Sequence, residues 1–127
     1  MIETIKIEAS AKTPSIHFDA SKGMLEIKGR SIPENSVEFY RPMMEWLEKY
    51  MGIPGTKTSV NIQLEYFNTS SSKCILDIFK KLEAISKKGN EIVINWFYEE
   101  DDEDMQEAGE DYQAIIQVPF QMQMVKE

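Results

Sequence analysis

The amino-acid sequence predicts a single α/β domain over residues 1–127, with a mixed sheet of about six strands and three main helices in the order βββαβαβαβ. Short stretches that alternate apolar and polar residues crowd the N-terminal part of the chain, as half-buried strands do. Longer stretches repeat apolar residues at helical spacing. In the second half strands and helices take turns, the pattern of β-α-β units with parallel strands and right-handed crossovers. With 127 residues and a 42% hydrophobic composition, the chain has room for one such core and too little for two ordinary ones.

Thr4–Glu8 puts Ile5 and Ile7 on one side of a strand and Lys6 on the other. Ser15–Asp19 sets Ile16 and Phe18 against His17, and Leu25–Gly29 repeats the alternation with Leu25 and Ile27. Lys22-Gly23 supplies the hairpin turn between the last two. The first helix starts at Asn35, a good cap followed three residues later by Glu38. It continues through Val37, Tyr40, Met43, Trp46, Leu47, Tyr50 and Met51. Pro42 either kinks this helix or splits off Glu34–Arg41 as a separate turn, and Gly52-Ile53-Pro54-Gly55 ends it. Ser59–Phe67 reads as a long strand with Val60, Ile62, Leu64 and Tyr66 facing one way. After the polar run Asn68–Ser72, the second helix carries the apolar stripe Cys74, Ile75, Ile78, Phe79, Leu82 and Ile85. It closes on Lys87, Lys88 and Gly89. Glu91–Tyr98 is apolar on both sides, as expected of a central strand covered on both faces. The third helix turns Met105, Ala108, Tyr112 and Ile115 inward. Val118–Val125 alternates again, as an edge strand, since Pro119 donates no ladder hydrogen bond.

Composition removes several classes of function. The net charge is −8, from 14 basic and 22 acidic residues. Nine of the acids and no base lie in Glu99–Asp111, so the remainder is nearly neutral and shows no basic stripe for nucleic acid. Nothing approaches the roughly 20 apolar residues of a bilayer span, and the start lacks a basic region followed by an apolar run, so neither membrane insertion nor secretion is expected. Cys74 is the one cysteine and His17 the one histidine, which excludes an internal disulfide and zinc sites built from several such ligands. A reducing cytoplasm fits. No cofactor is expected, and the eight methionines read as core filling.

The stretch Leu64–Ile85 carries the most chemistry. A helix N-terminus offers unpaired N–H groups and partial positive charge, so Asp or Glu usually occupies the first turn. Here that turn holds Thr69, Ser70, Ser71, Ser72 and Lys73 after Asn68, and the first carboxylate is Asp77. Two readings stand side by side: ordinary capping by hydroxyls, or a place kept for an anion, such as a phosphoryl group on Thr69 or a neighbouring serine. The glycines of a phosphate-binding P-loop and of a nucleophile elbow are both missing. Nothing brings His17 toward the serines as a base, and Cys74 falls on an apolar helix face. The acidic block reads as a solvated helix start or docking surface, with Asp101, Asp102, Glu103 and Asp104 in front. The competing reading is a divalent-cation site of a metal-dependent enzyme within residues 99–111. It is no EF-hand, because the sixth-position glycine is missing and position twelve from Asp102 is Gln113.

Three motifs, Gly29-Arg30-Ser31-Ile32-Pro33-Glu34-Asn35, Phe67-Asn68-Thr69-Ser70-Ser71-Ser72-Lys73 and Asp101-Asp102-Glu103-Asp104-Met105 with Ala108-Gly109-Glu110-Asp111, together resemble the SiaC family of bacterial regulatory phosphoproteins. The resemblance implies a STAS-like fold similar to anti-anti-sigma factors, and a non-enzymatic partner-switching role. It implies that a Ser/Thr protein kinase phosphorylates Thr69, with Asn68, Ser70, Ser71, Ser72 and Lys73 as its surroundings, and that a PP2C-type phosphatase reverses this. It further implies that the unphosphorylated form binds and activates a diguanylate cyclase, linking the switch to cyclic-di-GMP and biofilm formation.

Overall fold

The computed structural model describes residues 2–53 and 57–126. Its centre is one six-stranded sheet in which each strand lies beside the next in sequence. Strands β1 (Ile5–Ile7), β2 (Ser15–Asp19) and β3 (Met24–Ser31) form an antiparallel meander. From β3 onward the sheet is parallel, through β4 (Lys57–Phe67), β5 (Glu91–Glu99) and β6 (Phe120–Val125). The crossovers are α1 (Ser36–Tyr50), α2 (Thr69–Lys87) and α3 (Glu103–Ile115). This is the mixed α/β architecture that the residue pattern predicts. Gly23 closes the β2–β3 hairpin at φ +61°, and a Cβ there would sit 2.1 Å from the Lys57 carbonyl oxygen. Only glycine fits. α1 is one continuous helix with Pro42 inside it, so Glu34–Arg41 is not a separate turn; Pro54 and Gly55 lie outside the described residues.

Parallel strands taken in sequence with right-handed crossovers place successive helices on the same face. The burial pattern agrees. Ile16, Phe18, Leu25, Ile27, Val60, Ile62, Ile94 and Trp96 are sealed on one face, whereas Glu26, Asn61, Gln63, Val93, Asn95 and Phe97 are only half-buried on the other. The expectation that β5 is covered on both faces is therefore incorrect. Its second face is open, and amides line it: Asn61, Asn95 and Gln121 stand in register across β4, β5 and β6. The Asn95 amide donates to Asn61 Oδ1 at 3.0 Å. That cross-strand amide bond and the polar side chains around it suit a face open to solvent, where a second helix layer would otherwise sit.

Two further residues depart from the alternation. Gly29 pairs with Leu64 but Arg30 pairs with Tyr66, so β4 carries one extra residue, Glu65. The bulge shifts the side-chain phase. Tyr66, expected inward, is 54% exposed, while Phe67 turns in against Trp96 with ring centroids 6.2 Å apart. At the end of α3, Ile115 is 60% exposed and Ile116 is buried in its stead, because the chain leaves the helix there into an extended cap.

Candidate functional site

The C-terminal ends of β3, β4 and β5 share one edge of the sheet, and each runs into a helix N-terminus. Asn35, Asn68 and Asp102 cap α1, α2 and α3, accepting from the amides of Glu38 at 3.1 Å, Ser71 at 2.8 Å and Met105 at 3.0 Å. Capping thus accounts for Asn68. The first turns differ in charge. α1 has Glu38 and α3 has Glu103 and Asp104, while α2 has no acid. The amide-rich mouth of α2 is the one of the three that the chain's own carboxylates leave unmatched.

The hydroxyls of that turn fall into different classes. Ser71 is fully buried and donates to the Ser31 carbonyl at 3.0 Å. Ser31 Oγ in turn donates to Ser71 Oγ at 2.8 Å and lies 2.6 Å from the Tyr40 hydroxyl. Ser70 donates to Asn68 Oδ1 at 3.1 Å and lies 2.7 Å from Ser36 Oγ on α1. Ser72 Oγ is 2.9 Å from the Tyr112 hydroxyl, which donates to the Ser72 carbonyl, so it ties α2 to α3. Thr69 is exposed, and among the described residues no hydrogen bond engages its hydroxyl. Lys73, one helical turn on, is exposed and makes no ion pair among the described residues.

Ser31, Ser36, Tyr40 and Tyr112 support this turn and were not visible as site residues from sequence. Periodicity marks Tyr40 and Tyr112 as inward but does not say that their hydroxyls meet serines from other elements. Burial pushes the Tyr40 phenol up to about 12, against the lowering effect of its bond to Ser31, and raises Tyr112 as well. A raised folded-state value means that Tyr40 supports stability fully below its unfolded value near pH 10 and withdraws that support as pH rises toward about 12. Wild type should therefore lose stability across that alkaline window, and Tyr40→Phe should flatten the pH dependence of the melting temperature followed by circular dichroism.

Other candidates are not drawn together. His17 stands on the open face of the sheet between Lys6 and Glu26, across the sheet from α2, so no Ser–His pair forms. Cys74 is buried, and that burial raises its thiol, the opposite of a reactive cysteine. Asp102 and Asp104 line a cleft with Glu65, Tyr66, Phe67 and Met105, beside the strand end that leads to Thr69. Asp101 and Glu103 are exposed. Among the described residues no group of three or more His, Cys, Asp or Glu side chains is arranged to hold a metal ion, and no helix is long and apolar enough to cross a membrane. Val37 and Tyr66 are 62% and 54% exposed. Val37 lies in the first turn of α1 and Tyr66 near the end of β4, so both stand at the end of the sheet where α2 begins.

Known proteins share this fold. The structure of SiaC from Pseudomonas aeruginosa superposes with a TM-score of 0.90 at 28% identity, covering 98% of this chain and 100% of that one. The SiaC crystallised with the diguanylate cyclase SiaD, for which it is described as the activator, also gives a TM-score of 0.90, at 30% identity over 95% of this chain and 99% of that one. An uncharacterised protein of Pseudomonas aeruginosa (strain UCBPP-PA14) is 30% identical over 119 residues, 94% of each chain. Residues 7–125 match the SiaC family of regulatory phosphoproteins from β1 to the end of β6, and on that match and that fold the chain belongs to this family.

Proposed function

We propose that this chain is a cytoplasmic, non-enzymatic partner switch whose 127 residues act as one domain. Its Thr69 accepts a phosphoryl group from a Ser/Thr protein kinase and loses it to a PP2C-type phosphatase. In the unmodified form the chain binds and activates a diguanylate cyclase, which feeds cyclic-di-GMP signalling and biofilm formation. The observation that carries this reading is the pairing of an exposed, unengaged Thr69 hydroxyl with the one helix mouth of the three that holds no carboxylate. A phosphoryl group brings close to two negative charges and three strong acceptor oxygens to that spot, where free amides and Lys73 receive it. The solved complex of SiaD with SiaC, a protein 30% identical to this one, supports the choice of output partner.

Asp101, Asp102, Glu103 and Asp104 then serve as a docking rim that selects a basic partner surface through rate and specificity. The exposed side chains of Tyr66 and Val37, at the same end of the sheet as the start of α2, supply apolar contact. Tyr66→Ala should weaken cyclase binding about tenfold, as loss of an aromatic anchor does, with an unchanged melting temperature because the ring is exposed; unaltered affinity by calorimetry would remove Tyr66 from the interface. The modification itself is tested by incubating the chain with the kinase and ATP, then with the phosphatase. Labelling of wild type, its loss in Thr69→Ala and its removal by the phosphatase are the expected results. Undiminished labelling of Thr69→Ala would overturn the assignment.

A further inference from the structure

We infer that Ser36 determines which hydroxyl of the switch turn is modified: through its bond to Ser70 it holds the neighbouring exposed serine out of reaction and leaves Thr69 as the acceptor. The inference rests on the reading of Thr69 as a phosphorylation site and adds a residue of α1 to it. In the transfer, the acceptor oxygen forms a bond to the γ-phosphorus of ATP, the bond from that phosphorus to the β–γ bridging oxygen breaks, and the hydroxyl proton passes to the base of the kinase. An acceptor must therefore offer both a lone pair and a releasable proton.

Thr69 and Ser70 are adjacent and both exposed, so access alone does not separate them. Their hydrogen bonds do. The Ser70 proton is committed to Asn68 Oδ1 at 3.1 Å, which leaves the Ser36 hydroxyl, 2.7 Å away, to donate into the Ser70 oxygen. Ser36 is buried and its position is fixed by a further contact to Ser71 Oγ at 3.2 Å, so it does not swing aside with the surface. Thr69 has none of these ties. Freeing Ser70 means breaking two hydrogen bonds, enough for a preference of about tenfold or more.

Site-resolved mass spectrometry of the full chain, phosphorylated by the kinase that labels wild type, tests this. Wild type should carry phosphate on Thr69 with Ser70 at least about tenfold slower. Thr69→Ser should still be labelled at position 69 and not at Ser70, which separates hydrogen bonding from a kinase preference for threonine. Thr69→Ala should be nearly dark, and Thr69→Ala with Ser36→Ala should gain label on Ser70 by several-fold. Ala at the first helical position keeps α1 intact because Asn35 provides the cap. Comparable labelling of Thr69 and Ser70 in wild type, or of positions 69 and 70 in the Thr69→Ser chain, would overturn the inference while leaving the phosphorylation reading intact. So would a double variant as dark as Thr69→Ala alone. A wild type labelled at neither residue would overturn the phosphorylation reading itself.

Discussion

Thr69→Glu is expected to weaken binding to the diguanylate cyclase by about a hundredfold without loosening the fold. Two opposing effects of one charge lead to this result. Inside the chain the carboxylate sits in the first turn of α2, which holds no acid, so it gains roughly 0.3–1 kcal/mol from the helix dipole. If the cyclase covers this position, as proposed, the same group must leave water there with no partner charge to meet it. Burying an unpaired charge costs several kcal/mol, and every ~1.4 kcal/mol is tenfold in affinity. Melting temperature and affinity should therefore move in opposite senses, the first up slightly and the second down steeply. Thr69→Ala should bind like wild type, since the hydroxyl is tied to nothing among the described residues. Calorimetric titration beside thermal melts reads both quantities, and a Thr69→Glu chain that binds as tightly as wild type would contradict the expectation.

Gly109→Ala is expected to destabilise the protein by about 2 kcal/mol, against the usual benefit of alanine in a helix. An ideal Cβ at Gly109 would lie 2.5 Å from Trp96 Cδ1, 2.7 Å from its Nε1 and 2.8 Å from Met122 Cε. The methionine end can yield. The indole cannot: it is fully buried, its Nε1 donates to the Met105 carbonyl at 2.9 Å, and Phe79, Tyr112 and Phe120 surround it with ring centroids within 6.3 Å. α3 would have to lift from the sheet. Overpacking of this kind costs roughly 1–3 kcal/mol and strains a buried hydrogen bond worth about 1 kcal/mol, while helix propensity returns about 1 kcal/mol. The net loss should lower the melting temperature by about 8 °C. Because α3 carries Tyr112, the partner of Ser72, the same variant should also weaken the support of the switch turn. A Gly109→Ala chain as stable as wild type would mean that α3 repacks without the cost assigned to it.

Local rules carried most of the fold. The cap Asn35, the hairpin at Gly23, the Cys74–Ile85 stripe and the edge strand after Pro119 all follow from residue type and spacing, whereas the cap of α2 is Asn68 and not one of the hydroxyls expected to serve. The misreadings arise where a distant partner decides. Apolar residues on both sides of β5 suggested two covered faces, but Val93 and Phe97 share their face with Asn61, Gln63 and Gln123, which no window over β5 includes. Tyr66 lost its inward phase to a bulge set by pairing with β3. The site shows the same division. The absence of an acid after Asn68 is readable in the sequence. That Ser71 is sealed by Ser31, Ser70 held by Ser36 and Ser72 tied to Tyr112 depends on contacts that span 34 to 40 positions.

The most direct measurement follows one preparation of this chain through three states against one diguanylate cyclase: unmodified, phosphorylated at Thr69, and returned to the unmodified state by a PP2C-type phosphatase. The expected result is tight binding, then a loss of affinity of about a hundredfold or more, then full recovery. One affinity throughout the cycle would contradict the account of Thr69 as the switch.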